Sequence, residues 1–164
     1  MGIECDPFPD ATTRCQRRWI YARDDFRCQM PLVSIQGPNL LTNICGEYGE
    51  DVHHIWPKRA MVFEIKQNPH TPYNLVLLCR YHHMLIHPDI IDALRERVFG
   101  DKNALEELFA RRIRLLKNGL PYWNTAWDKN LRLIAKRRTE DFLNDFPKTR
   151  FPFYHLSVYY GRSV

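Results

Sequence analysis

The sequence has no apolar run of about 18 residues, the length at which a membrane-spanning helix is suspected. Its first ten residues, MGIECDPFPD, are acidic and interrupted by prolines, unlike a secretory signal. Cysteine is scarce: the five cysteines, at positions 5, 15, 28, 45 and 79, are odd in number and widely spaced, which argues against a disulfide scaffold. We therefore expect an intracellular location with cysteines available as metal ligands.

Several catalytic signatures are also missing. The sequence contains no glycine-rich phosphate loop and no serine in a nucleophile elbow. The segment HMLIH has the histidine spacing of a zinc-protease helix, but Met84 occupies the position of the required glutamate base. These absences argue against nucleotide hydrolases of the P-loop type, serine hydrolases and zinc proteases.

Apolar material is sufficient for one packed interior. The chain has 164 residues, 45% of them hydrophobic, which suits one domain or a small core with an extension. The formal net charge of +5 is uneven: residues 1–100 carry 11 Lys and Arg against 12 Asp and Glu, whereas residues 101–164 carry 13 against 7. This C-terminal excess favours an anionic partner such as nucleic acid, the alternative being a solvated helix face with ion pairs.

Local patterns predict a mixture of helices and strands. Threonines precede Trp19 and Ile20 at helical spacing, which predicts a helix over residues 13–25. The segments DVHHIW and NLVLLC predict two strands joined by a connection with a short helix, and RYHHMLIH predicts a following helix. Further helices are predicted at residues 92–100, 101–119 and 125–146. The final aromatic stretch, RFPFYHLSVYY, is either a strand or an irregular cover.

Histidines are clustered in the region of the two predicted strands. Five of the seven form two groups within residues 53–87, at positions 53 and 54 and at positions 82, 83 and 87, while His70, between the groups, and His155 have no companions. His53 and His54 are adjacent, so on a strand they point to opposite faces. On the predicted helix, His83 and His87 share one face, and His82 shares another face with Cys79. The pattern therefore predicts two separate sites.

One of these sites has the composition of a structural zinc centre. Cys79 and His82 need two more ligands for a tetrahedral site, and Cys28 and Cys45 lie in turn-like surroundings before the first strand. Their separation of 17 residues differs from the short knuckle of many zinc sites. The alternatives are buried thiols without metal, or ligation by the two remaining cysteines, Cys5 and Cys15.

These motifs together resemble the HNH endonucleases of the ββα-metal fold, in their zinc-bearing form. The resemblance is carried by DVHHIWP, by Asn74 at the start of NLVLLC, by RYHHMLIH and by the upstream RDDFRCQ. Cys79, His82, His83 and His87 follow Asn74 by 5, 8, 9 and 13 residues. The resemblance covers residues 20–88 and implies a ββα-metal core at 28–88. Together with the helices predicted on either side, it gives an α+β fold with a leader and helix at 1–27 and a mostly helical extension at 89–164.

The resemblance also implies a role for each site residue. His54 is the general base that activates water, a task suited to an imidazole that titrates near ~6.5. Asn74 orients His54 through hydrogen bonds across the loop. His53, His83 and His87 are ligands of a divalent ion (magnesium, manganese, zinc or nickel), and Asp51, on the face of His53, can add an oxygen. Cys28, Cys45, Cys79 and His82 are the ligands of the structural zinc.

Double-stranded DNA is the partner that this resemblance implies, cut to leave 5′-phosphate and 3′-hydroxyl ends, and a homodimer is one way to cut both strands. In the C-terminal helix, Leu131 and Ile134 are spaced to face the core, and basic residues lie largely elsewhere. The expected nucleic-acid contacts are Lys58, Arg59, Arg80, Lys136 and Arg137. The alternative function is a zinc-stabilised nucleic-acid-binding module without catalytic activity.

Overall fold

The computed structural model describes residues 11–32, 41, 43–86, 114, 118 and 126–153. These residues combine helices with a small two-stranded sheet, so the predicted α+β class is confirmed. None of the described helices is long and apolar enough to cross a membrane. His87 lies outside the described residues, and of the helices predicted over residues 92–119 only residues 114 and 118 are described. The elements are α1 (Arg14–Arg23), β1 (Asp51–His54), α2 (Lys58–Phe63), a 3₁₀ turn (Pro72–Asn74), β2 (Leu75–Leu78), α3 (Arg80–Ile86) and α4 (Ala126–Asp145).

The sheet consists of β1 and β2 in antiparallel pairing. His53 lies opposite Val76, and His54 lies opposite Leu75. Every residue of β2 is buried, as its uninterrupted apolar sequence requires, whereas β1 is only partly buried. Because side chains alternate along a strand, Asp51 and His53 share one face and His54 lies on the other. Both predicted strands are confirmed, although each is shorter than its predicted segment.

The helix predicted over residues 13–25 is confirmed as α1, with a shorter C-terminal end. Its N-terminus is a capping box, in which the Gln16 N–H donates to the Thr13 hydroxyl (3.1 Å) and the Thr13 N–H donates to the Gln16 side chain (2.9 Å). The helix stops after Arg23 because Asp25 and Phe26 adopt left-handed backbone angles, with φ of 53° and 58°. The chain then turns towards a second antiparallel pair of segments, the second hairpin, with β1 and β2 forming the first.

This second hairpin pairs residues 27–31 with residues 44–48 and attaches to the sheet. The N–H of Gln29 donates to the carbonyl oxygen of Leu77 (2.9 Å), which links the hairpin to β2. Gly49, just after the hairpin, packs directly on the side chain of Leu77. A Cβ on residue 49 would lie 2.3 Å from that side chain. The close packing of hairpin on sheet therefore depends on the absence of a side chain at this position.

A buried ion pair joins α1 to the rest of the molecule. Arg23 donates to the Asp24 carboxylate at 2.7 and 3.0 Å, and neither side chain is exposed. Asp24 also accepts a hydrogen bond from the N–H of Leu77 in β2 (2.8 Å). Both charges are thus paired and hydrogen-bonded, as burial requires. The guanidinium makes three further hydrogen bonds, to the carbonyl oxygens of Pro72 and Leu75 and to the hydroxyl of Thr139 in α4.

Two apolar clusters cover the two faces of the sheet. In the first, Leu131 and Ala135 of α4 pack against Val76, Leu78 and the second hairpin. In the second, Trp19 of α1 is surrounded edge-on by aromatic rings at centroid distances of 5.1, 5.4 and 5.4 Å. These rings belong to Phe142, Phe151 and Phe153. The predicted burial of Leu131 and Ile134 is confirmed, and the described start of the aromatic C-terminal stretch forms an irregular cover.

Candidate metal and catalytic centres

Three cysteines and one histidine from different parts of the chain meet beside the sheet. Cys28 and Cys45 come from opposite strands of the second hairpin, Cys79 follows β2, and His82 lies in the first turn of α3. Their ligand atoms all lie within 4.8 Å of one another. Cys28, Cys79 and His82 are buried, and Cys45 is partly buried. The pairing of the two hairpins therefore creates a site that can hold a metal ion such as zinc.

The distances within this Cys3His cluster fit a tetrahedral centre. Zinc bond lengths to sulfur and nitrogen in such a site separate a thiolate from an imidazole nitrogen by about 3.6 Å. Nδ1 of His82 lies 3.4 Å from Sγ of Cys28 and 3.3 Å from Sγ of Cys79. The N–H of His82 also donates to Sγ of Cys79 (3.5 Å), so the start of α3 is oriented towards the sulfur. Cys15, a rival ligand in the sequence, is exposed on α1, whereas Cys5 lies outside the described residues.

Hydrogen bonding and burial give the three thiols of this cluster different pKa values. The contact with the Cys28 thiol, assisted by His82, lowers the pKa of Cys79 to about 4. The same contact, together with burial, raises the pKa of Cys28, and burial raises the pKa of Cys45. Of the three thiols, Cys79 is therefore the one that loses its proton most readily. A metal ion bound by all four groups must displace the protons of the other two thiols, because thiolate is the form of cysteine that binds metals.

A second group of possible ligands lies between β1 and α3. Oδ2 of Asp51 is 3.2 Å from Nδ1 of His83, and the two side chains are 26% and 25% exposed. The ring of His53 stands edge-on to that of His83, with centroids 5.4 Å apart. Among the described residues, only the Cys3His cluster has three or more ligand atoms within 4.8 Å, so this second group is more loosely arranged. His87, its predicted fourth member, lies outside the described residues.

His54 lies on the other face of β1 and contacts His70, a contact that the sequence did not predict. Nε2 of His54 lies 3.0 Å from Nδ1 of His70, and the ring centroids are 5.1 Å apart. His70 is buried, whereas His54 is partly exposed. In the sequence His70 has no companion, and the structure corrects that interpretation. The separation of 16 residues follows no helix or strand period, so only the folded connection between β1 and β2 brings the rings together.

Asn74 fastens the connection that carries both histidines. Its Oδ1 accepts a hydrogen bond from the N–H of Trp56 (2.9 Å), two residues after His54. Its Nδ2 donates to the carbonyl oxygens of Trp56 (3.2 Å) and Pro69 (3.1 Å), the latter adjacent to His70. The Asn74 side chain is buried and makes three hydrogen bonds across the loop. It thus fixes the backbone beside both imidazoles.

The basic residues fall into different surroundings. Lys136 lies with Lys129 and Arg132 along a groove of about 500 Å³ that Tyr73 and Leu133 complete. The guanidinium of Arg132 stacks 5.1 Å from the Trp56 ring centroid, and burial lowers its pKa without removing its charge at neutral pH.

The other predicted contacts lie outside this groove. Arg59 and Arg137 are exposed, and Lys58 is partly buried at the start of α2. Arg80 pairs with Glu50 (3.2 Å) and Asp51 (3.5 Å), so its guanidinium is directed towards carboxylates. Of the five predicted contacts, Lys136 is therefore the one that lines the groove.

Comparisons of the chain with protein-family models, with curated proteins and with solved structures found no match. The functional assignment consequently rests on the residues themselves. Two features combine in a small space: a Cys3His cluster at one end of α3, and carboxylate and imidazole groups along β1 and α3.

Proposed function

We propose that this protein is a metal-dependent endonuclease of the HNH type that hydrolyses phosphodiester bonds in DNA. One observation carries the proposal: Asp51 and His53 of β1 lie close to His83 of α3, and the residue after His53 in β1 is His54. An oxygen and two imidazoles are a donor set that suits manganese, nickel or zinc, and the carboxylate also suits magnesium. The Cys3His cluster would bind a structural zinc that fixes α3, and with it His83.

The side chains of β1 would divide the chemical work. His54 takes a proton from water, and the water oxygen forms a bond to phosphorus as the bond from phosphorus to the 3′ oxygen breaks. The departing 3′ oxygen takes a proton from solvent, which leaves a 3′-hydroxyl and a 5′-phosphate. A divalent ion held by Asp51, His53, His83 and His87 would stabilise negative charge on the phosphate. Asn74 keeps the backbone beside His54 in place.

Because His53 and His54 are consecutive in β1, one phosphate can lie close both to the base and to the metal ligands. His53 and His54 point to opposite faces, but adjacent residues of a strand are only about 3.3 Å apart along its axis. A phosphate that lies across the end of β1, at the edge of the strand, can be reached from both faces. His54 is the last residue of the strand, and there the chain bends before α2 begins.

The basic groove supplies a path for the rest of the nucleic acid. Lys129, Arg132 and Lys136 recur along α4 at intervals of three and four residues, so they follow one side of the helix. Tyr73, which immediately precedes Asn74, also lines the groove, so the groove extends to the loop that Asn74 fixes. A row of cations at this spacing suits the phosphate backbone, a contact that positions DNA without reading its sequence.

Incubation with supercoiled plasmid tests the proposal. We expect relaxed or linear products with at least one of magnesium, manganese, nickel and zinc, and none with a chelator in excess. DNA ligase should reseal the nicks, because 5′-phosphate and 3′-hydroxyl ends are its substrates. If folded, zinc-containing protein leaves the plasmid supercoiled with every metal, nuclease activity is refuted.

The same experiment separates the proposal from a zinc-stabilised nucleic-acid-binding module that does not cut. The groove along α4 and the Cys3His cluster favour this second function as much as the first, since neither requires catalysis. Mobility shift of the plasmid without cleavage under any condition would identify the binding module.

A further inference from the structure

His54 and His70 form a hydrogen-bonded imidazole pair that the proposed function leaves unexplained. The contact joins Nε2 of His54 to Nδ1 of His70 at 3.0 Å, a normal distance for a nitrogen donor and a nitrogen acceptor. One proton must lie between these atoms, because two lone pairs would repel each other. The position of this proton decides which nitrogen of His54 carries a lone pair on the side away from His70.

We propose that His70 is a positioning residue that accepts the proton of His54 Nε2 and thereby leaves Nδ1 of His54 as the atom that receives a proton from water. This inference rests on the proposed function, in which His54 is the general base. If His70 were instead the donor, neutral His54 would carry its proton on Nδ1 and could not act as a base there. With His70 as acceptor, the hydrogen bond also persists after His54 has become an imidazolium.

The surroundings of His70 fix its backbone and bury its ring. The backbone N–H of His70 donates to Oδ1 of Asn68 (2.9 Å), and the preceding carbonyl oxygen, of Pro69, accepts from Asn74. His70 is only 2% exposed, so bulk water competes little for its Nδ1. Asn74 therefore acts on His54 by two routes, through the backbone of Trp56 and through the segment that carries His70.

Two substitutions at position 70 separate orientation from packing. His70→Asn keeps an acceptor, because the amide oxygen occupies nearly the place of Nδ1, whereas His70→Phe keeps a ring but removes the acceptor. We expect His70→Phe to lower kcat about tenfold or more with KM and DNA affinity unchanged, since a misplaced proton disables the base. His70→Asn should recover most of kcat. Equal losses of kcat in variants with matched melting temperatures would overturn the inference.

A second measurement does not depend on cleavage. In ¹⁵N-labelled protein, long-range correlations of the imidazole nitrogens report which nitrogen of His54 is protonated. We expect the Nε2–H form in the wild type and in His70→Asn, and a mixture of both forms in His70→Phe. A wild-type His54 with its proton on Nδ1 would overturn the inference. Wild-type protein with the expected proton position but no cleavage would instead refute the proposed function.

Discussion

The adjacent histidines of β1 have different environments because alternate residues of a strand face opposite sides. His53 is buried beside the ring of His83, where both imidazoles could bind one metal ion, whereas His54 is partly exposed and hydrogen-bonded to His70. A ligand needs a fixed position near other donors, and a base needs access to water. The two surroundings therefore match the two roles proposed for these residues.

Substitutions at His54 and His83 should have different effects. His54→Ala removes the proposed base without touching the ligands, so cleavage should fall by about 10²-fold or more while DNA and metal affinities remain. His83→Ala should instead weaken metal binding, which calorimetric titration with manganese would measure in both variants. Cleavage near the wild-type rate by His54→Ala would remove it from the mechanism.

Some residue-level contacts could be predicted from the sequence and others could not. Cys79 immediately precedes α3 and His82 lies in its first turn, so their meeting follows from the three-residue spacing at the start of a helix. Cys28 and Cys45 had rivals in Cys5 and Cys15, and only the pairing of the second hairpin brings them to the cluster. The contact between His54 and His70 depends on how a loop folds back, and no local period encodes such a path.

At the scale of elements, the groove along α4 gives the proposed nucleic-acid interface a defined location. Lys129 and Lys136 lie on either side of Arg132, which is stacked on Trp56. The helix itself could be predicted from the spacing of Leu131 and Ile134, and its basic character from composition. The sequence could not indicate that Tyr73 of the 3₁₀ turn would close the groove, because that contact joins segments more than 50 residues apart.

Removal of the groove cations should weaken DNA binding on every sequence alike. Lys129→Ala with Lys136→Ala is expected to lower the slope of log affinity against log salt by roughly 2, because each lost phosphate contact releases about one counterion fewer. Fluorescence anisotropy at several salt concentrations measures this slope. Arg14→Ala with Lys148→Ala removes the same charge from exposed positions outside the groove and is the matched control. Equal slopes for the two double variants would exclude the groove as the interface.

Gly49 should be essential to the packing of the second hairpin on β2. Gly49→Ala places a methyl group where the Leu77 side chain already lies, and Leu77 is fully buried. We expect the free energy of unfolding to fall by about 1–3 kcal/mol, as for other overpacked cores. Urea denaturation measures it, with Glu47→Ala, an exposed position of the same hairpin, as control. A stability equal to that of the control would contradict the close contact.

At the scale of the whole molecule, the Cys3His cluster and the apolar core are continuous. Cys28 and Cys79 belong to the same buried cluster as Leu131 and Ala135 of α4. A metal ion held there would stabilise α3, the second hairpin and α4 together. The ion-paired Arg23 joins the same parts from the other side through its bond to Thr139.

Loss of one cysteine ligand should therefore destabilise the entire fold. Zinc sites with such ligands contribute on the order of 10 kcal/mol to folding, and Cys45→Ser removes one of the four groups that could hold the ion. We expect a large fall in melting temperature and less than one equivalent of zinc by elemental analysis. Cys15→Ser, at an exposed cysteine, should leave both quantities unchanged. Full zinc content in Cys45→Ser would exclude Cys45 as a ligand.

The aromatic enclosure of Trp19 has a consequence for biosynthesis. Phe142, Phe151 and Phe153, which cover the indole, are synthesised more than 120 residues later. At ordinary translation rates the nascent chain carries an uncovered tryptophan and its apolar neighbours for on the order of 10 s. Until these aromatics emerge, this surface is open to chaperones and to other nascent chains, and α1 can complete its packing only after they have left the ribosome.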